Sequence, residues 1–260
     1  MNNGRKLLIG LGAALMLGLL LLPPSVLLLR TLSTQAWQGL SEYDAVWSAL
    51  SLSLLTSSIT LLLTILLGTP LAFVLARWRF PGRRIISTFI ALPIVLPPAV
   101  AGLALLLTFG RRGLLGPFLL EFGISIPFTV LAVIIAQTFV AAPFYIRAAQ
   151  IGFASVPRDY EDAARVDGAS EWAVFWRVTL PISQRALGAG LILSWARAIG
   201  EFGATILFAG SLQGRTQTMP LLVYSIFERD INAAIWTGVL LLGIALVALL
   251  FSQWLSRGQD

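Results

Sequence analysis

Apolar positions divide this chain into six long stretches, at about 7–29, 46–76, 85–109, 126–146, 186–209 and 233–255. A bilayer core of roughly 30 Å is crossed by about 20 helical residues, so each stretch can span it. The pattern predicts an all-α polytopic membrane protein with six transmembrane helices. Residues 153–185 form the most polar part of the chain. The first stretch exceeds the apolar core of a signal peptide, and no A-x-A site follows it, so it is expected to be retained. The third contains Pro93, Pro97 and Pro98. Each removes a backbone donor, which predicts kinks whose freed carbonyls are satisfied by neighbours or water. A packing kink and a gating hinge both suit that pattern. On the fifth stretch Ala186, Gly190, Ser194 and Ala198 recur every fourth residue. They form a small-residue face for packing within one subunit or for a pore or dimer contact.

Composition sharpens the class. Of 260 residues 57% are hydrophobic and 12% charged, against about 25% charged in soluble domains. Cysteine and histidine are absent, which removes disulfides, thiolate nucleophiles, Ser-His-Asp chemistry and imidazole metal sites. Neither a catalytic set nor a metal site is expected. Lys6 is the only lysine, so no G-x-x-x-x-G-K-[ST] loop for ATP exists downstream of it. The net charge of +6 is read as loop charge that sets topology rather than as a nucleic-acid surface. Twelve basic residues fall on one side of the six stretches: Arg5, Lys6, Arg77, Arg79, Arg83, Arg84, Arg147, Arg158, Arg165, Arg177, Arg185 and Arg257. Five fall on the other: Arg30, Arg111, Arg112, Arg215 and Arg229. The positive-inside rule then places both termini in the cytoplasm.

The 153–185 segment is locally acidic and reads as structured. Asp159 is expected as an N-cap with Asp162 at the third helical position, and Gly168 as a left-handed C-cap. Ser170 caps a second helix, with Glu171 in its first turn and Trp172, Phe175, Trp176 and Val178 making it amphipathic. Pro181 is expected to close the segment. Aromatics in so short a loop must bury against something, which favours a docking element over a solvated connector.

These residues resemble the permeases of ABC importers. The family pattern is E-A-A-x-x-x-G, nine residues, then I-x-L-P. Here Asp162, Ala163, Ala164 and Gly168 are followed after nine residues by Val178-Thr179-Leu180-Pro181. Asp162 replaces the usual Glu, with Glu161 just before it, and Val178 replaces Ile. The resemblance implies a plasma (inner) membrane transport subunit, not an enzyme. It implies a homodimer, two cytoplasmic ABC ATPase subunits that hold the ATP and Mg, and an extracytoplasmic binding protein. This chain would bind no cofactor itself. The ATPase-coupling residues it implies are Asp159, Glu161, Asp162, Ala163, Ala164, Gly168 and Ala169, with Glu161 and Asp162 offering an acidic face to arginines of the ATPase.

The stretch Arg197-Ala-Ile-Gly-Glu201-Phe-Gly-Ala-Thr205 is similar to the molybdate, tungstate and sulfate group of these permeases. Gly214-Arg-Thr-Gln-Thr-Met-Pro220, then Tyr224, is most similar to the molybdate branch. Arg197 and Glu201 stand four apart in an apolar stretch, where an unpaired charge costs several kcal/mol. Mutual pairing would lock the helix in register; alternatively Arg197 helps an oxyanion along the pathway. Competing functions are a sulfate or thiosulfate permease and an ion-coupled secondary anion carrier. The carrier lacks an unpaired intramembrane acid for coupling.

Overall fold

The computed structural model describes residues 3–33 and 43–257. The remaining residues, including the very ends of the chain, lie outside the described residues. Every described element is helical. The order is α1 (Asn3–Ser33), α2 (Tyr43–Arg77), α3 (Arg83–Val95), α4 (Pro98–Phe109), α5 (Gly116–Glu121), α6 (Val130–Ser155), α7 (Arg158–Val166) and α8 (Glu171–Val174). A π-helical turn (Phe175–Thr179) leads to α9 (Leu180–Ile199), α10 (Gly203–Phe208), α11 (Met219–Phe227) and α12 (Ile231–Arg257).

Helix α6 is the axis of the bundle and packs most extensively on α2 and α9. Its first half joins α4 and α10 in a core built around Ala101, Leu105, Ala136, Val140 and Phe208. Its second half joins α2 and α9 around Leu75, Tyr145, Phe153 and Leu187. A third core joins the start of α2 to α11 and α12 through Ala45, Ala49, Met219 and Ile226. The small face of α9 is spent inside the chain. A Cβ on Gly190 would stand 2.6 Å from that of Ala148, and Ser194 donates to the carbonyl of Ala141 at 3.0 Å. Close backbone approach of this kind replaces the hydrophobic drive that is missing between helices in lipid. Helix α1 rests on α12 and leaves its leucines exposed, as a lipid-facing helix does.

Hydroxyls stitch α2 to its neighbours. Ser53, Thr56, Ser57, Thr60 and Thr64 are all buried and recur on one helical face. Ser53 accepts the N–H of Met219 at 2.8 Å, Ser57 that of the Trp195 indole at 3.2 Å, and Thr60 donates to Gln137 at 3.2 Å.

Two of the expected spans are altered. The third is not one kinked helix: α3 and α4 meet at 118°. Pro97 forces Leu96 into extended backbone (φ −63°, ψ 133°), and the helix restarts with Pro98 in its first turn. The fifth is interrupted at 200–202, between α9 and α10. Among the described residues three helices are long and apolar enough to cross a bilayer, α1, α2 and α6, and the bent α3–α4 pair makes a fourth if it is a single span. Helix α9 does not reach that standard by itself, and α12 contributes the apolar run Ile231–Val247 among the described residues, so six crossings stand as an expectation.

Candidate functional site

The polar insert folds as two turns of helix laid against the end of the bundle. Helix α7 starts after Pro157, whose fixed φ suits a helix entry; Asp159 lies inside the first turn and is not the N-cap. The C-terminus is a Schellman closure. Gly168 has φ +87°, its N–H donates to Arg165 O at 3.0 Å, and Ala169 N–H donates to Ala164 O at 2.9 Å. Ser170 then caps the next helix by accepting the N–H of Ala173 at 3.3 Å. The chain does not stop at Pro181. α8, the π turn and α9 run on as one rod, because the proline sits in the first turn of α9, where the π turn has already shifted the hydrogen-bond register.

Glu161 departs most from expectation. It faces inward, 5% exposed, and offers no charge to a partner. Its Oε1 takes the guanidinium of Arg77 at 2.6 Å and the hydroxyl of Thr179 at 2.7 Å. Arg77 also donates to the carbonyl of Val156 at 3.2 Å. One carboxylate thereby fastens the end of α2, the α6–α7 turn and the π turn together. Sequence reasoning missed Arg77 and Thr179, whose partner lies 84 and 18 positions away.

The outward face of α7 carries Asp159, Tyr160, Asp162, Ala163, Arg165 and Val166, all exposed, with Ala164 and Ala169 half-buried. Val166 (87%) and Trp172 (71%) are among the most exposed large apolar side chains outside the lipid-facing helices. Trp172 and Trp176 stand edge to face at 5.6 Å, with Phe175 packed behind them. Arg165 bridges Asp162 at 2.6 Å and Glu171 at 2.7 Å, and this bond holds the Glu171 carboxyl below the usual carboxylate range. The surface is thus a braced, partly acidic and partly aromatic plate that no described residue covers.

Arg197 and Glu201 come together as their spacing implies, at the break in the fifth stretch. Arg197 occupies the last turn of α9, where a cation suits the helix dipole, and meets Glu201 Oε2 at 2.5 Å as an ion contact without hydrogen-bond angles. Glu201 Oε1 accepts the N–H of Ala204 at 2.7 Å and so caps α10. The glutamate side chain is 1% exposed and the arginine 28%. Gly203 lets α10 approach α4: a Cβ there would lie 2.6 Å from that of Pro98. No group of three or more metal-ligating side chains occurs among the described residues.

Known proteins resemble this chain in sequence and in fold. Residues 68–260 match the family described as binding-protein-dependent transport system inner membrane component. The molybdenum transport system permease protein ModB of Mycobacterium tuberculosis is 44% identical over 203 residues, covering 78% of this chain and 77% of that protein. The sulfate transport system permease protein CysW of Synechococcus elongatus is 40% identical over 208 residues, covering 80% and 73%. Among solved structures, a bacterial ABC transporter involved in the import of the acidic polysaccharide alginate superposes with a TM-score of 0.79, at 17% identity and over 99% of this chain and 96% of that one.

Proposed function

The chain belongs to the binding-protein-dependent transport system inner membrane component family, and on that premise we propose that it is the permease subunit of an ATP-driven importer of molybdate. It is a multi-pass inner-membrane transport subunit and not an enzyme. The observation that carries this reading is the α7–α8 plate: an exposed, capped, internally braced surface at the end of an apolar bundle. Such a surface is built to receive force from a soluble partner. The similarity to ModB carries the substrate.

The partners follow from the family: an ATPase that binds ATP and magnesium, and an extracytoplasmic binding protein that delivers the anion. In this reading the permease forms a homodimer with two ATPase subunits, and both termini and α7 are on the cytoplasmic side of the membrane. The ATPase contacts Asp159, Asp162, Ala163, Ala164, Gly168 and Ala169, together with Tyr160, Val166 and Trp172. Glu161 acts from behind the plate by fixing it to α2. Arg197 and Glu201 hold the break between α9 and α10 in place; the charge of Arg197 is already paired with the buried carboxylate, which leaves little of it for a transiting oxyanion.

The test is ATP hydrolysis by the permease–ATPase complex in liposomes, with binding protein loaded with molybdate, tungstate or sulfate outside. Stimulation by molybdate- or tungstate-loaded protein and not by sulfate-loaded protein is expected. Stimulation by sulfate would move the chain to the sulfate branch. Anion flux without ATP would overturn the ABC reading.

A further inference from the structure

Four arginines gather where α2 turns into α3. Arg79 from the turn, Arg83 and Arg84 from the first turn of α3, and Arg147 from α6 line an open cavity of about 930 Å³. No carboxylate lines it. Arg77, two residues earlier, spends its charge on Glu161; Arg79, Arg83, Arg84 and Arg147 make no ion pair among the described residues. Arg147 is held in place by donating to the carbonyl of Ser87 at 2.7 Å. Helix α3 begins at Gly82 with no side-chain cap, so the positive end of its dipole adds to the same region. Four uncompensated cations around one cavity are a site for an anion, and guanidinium groups favour phosphate oxygens.

The cavity has an apolar continuation. Ile85 lines it, and Phe89 and Leu92 follow at the fourth and seventh positions along the same face of α3, all three exposed. Trp78, also exposed, precedes the cluster as aromatics do at membrane interfaces. A soluble anion uses only the arginines. An amphiphile uses both the arginines and the stripe.

We propose that this cavity is a headgroup site for an anionic phospholipid. Its phosphate is held by Arg79, Arg83, Arg84 and Arg147, and its acyl chains run along Ile85, Phe89 and Leu92. The lipid fills the cleft between α3 and α6 and neutralises charge that the protein leaves unpaired.

The test uses the full chain purified with its ATPase partner, stripped of lipid and titrated with phosphatidylglycerol, phosphatidylcholine, inorganic phosphate or molybdate. Native mass spectrometry counts the retained molecules. The expected result is retention of phosphatidylglycerol over phosphatidylcholine by about tenfold or more, lost in an Arg83→Gln/Arg84→Gln double variant and weakened in Phe89→Ser. Arg111→Gln/Arg112→Gln, on the far side of the membrane in the proposed topology, should retain the lipid. Co-purification of the ATPase and an unchanged unfolding temperature show that a variant is folded. Equal retention of the two lipids, or wild-type retention by the folded double variant, overturns the proposal. Tight binding of phosphate or molybdate that excludes phosphatidylglycerol also overturns it, in favour of a free-anion site.

Discussion

Glu161 and Glu201 are both buried glutamates paired with an arginine, and they do different work. Glu201 takes a partner four residues away and a backbone N–H three residues ahead, so its whole network lies within one bend of one rod. Glu161 takes Arg77 from 84 residues away and Thr179 from 18 residues away, and so ties three separate segments. The first is a brace inside an element. The second is a rivet between elements, set beneath the surface assigned to the ATPase. A force applied to α7 therefore reaches α2 and α9 directly, whereas the α9–α10 break only has to survive it.

Removing the rivet should have the largest effect. Glu161→Ala strands the Arg77 guanidinium in a dry site, and breaking a buried pair from one side costs about 3–5 kcal/mol. Thermal unfolding of the purified complex should fall sharply and the ATPase should dissociate; an unfolding temperature equal to wild type would show that the pair is dispensable. Arg197→Ala comes next. It strands Glu201, but Arg197 is 28% exposed, so water relieves part of the loss and about 2–3 kcal/mol is expected. Reduced stability with unchanged anion preference fits a brace; full stability with altered preference would assign Arg197 to the pathway.

Gly168→Val should follow. No atom lies within 4 Å of a Cβ at Gly168, so the cost is backbone strain at φ +87°, about 1–3 kcal/mol and confined to the α7 closure. Membrane insertion should persist while ATPase stimulation is lost, and Gly168→Asn, which tolerates positive φ, should restore most of it. Normal ATP-driven transport by the valine variant would separate the plate from coupling. Arg165→Ala should matter least for stability, since its contacts to Asp162 and Glu171 are exposed. Arg165 lowers the Glu171 pKa, so any contribution is complete above the ordinary glutamate range and fades only as pH falls through the depressed value. Near neutral pH the difference in unfolding between Arg165→Ala and wild type should therefore be small and should not change with pH.

The contrast between the two glutamates also explains what could be read from the chain. Arg197–Glu201, the Gly168 turn and the Ser170 cap are local patterns, and local patterns are visible in a sequence. Arg77 looked like one more loop charge, because nothing near it announces a partner 84 positions on. Glu161 looked like an outward acid for the same reason. The Leu96 break was more than a kink because a proline restricts the residue before it, and two successive prolines leave no donor with which to continue the helix. Pro181 failed as a stop because the π turn absorbs it. The hydroxyl stripe of α2 was missed, because it sits inside a helix whose average character is apolar.

The most direct measurement exploits the absence of cysteine from the chain. A single Tyr160→Cys on the outward face of α7 would be oxidatively cross-linked to a cysteine in the docking groove of the ATPase, and molybdate uptake followed before and after reduction. Cross-linking at Tyr160 that stalls ATP-driven uptake, reversed by reductant and absent for Leu114→Cys beyond the opposite end of α6, is the expected result. A co-purifying ATPase that never cross-links to Tyr160→Cys, or a fully cross-linked complex that transports at the wild-type rate, would contradict the assignment of α7 as the surface through which ATP drives this permease.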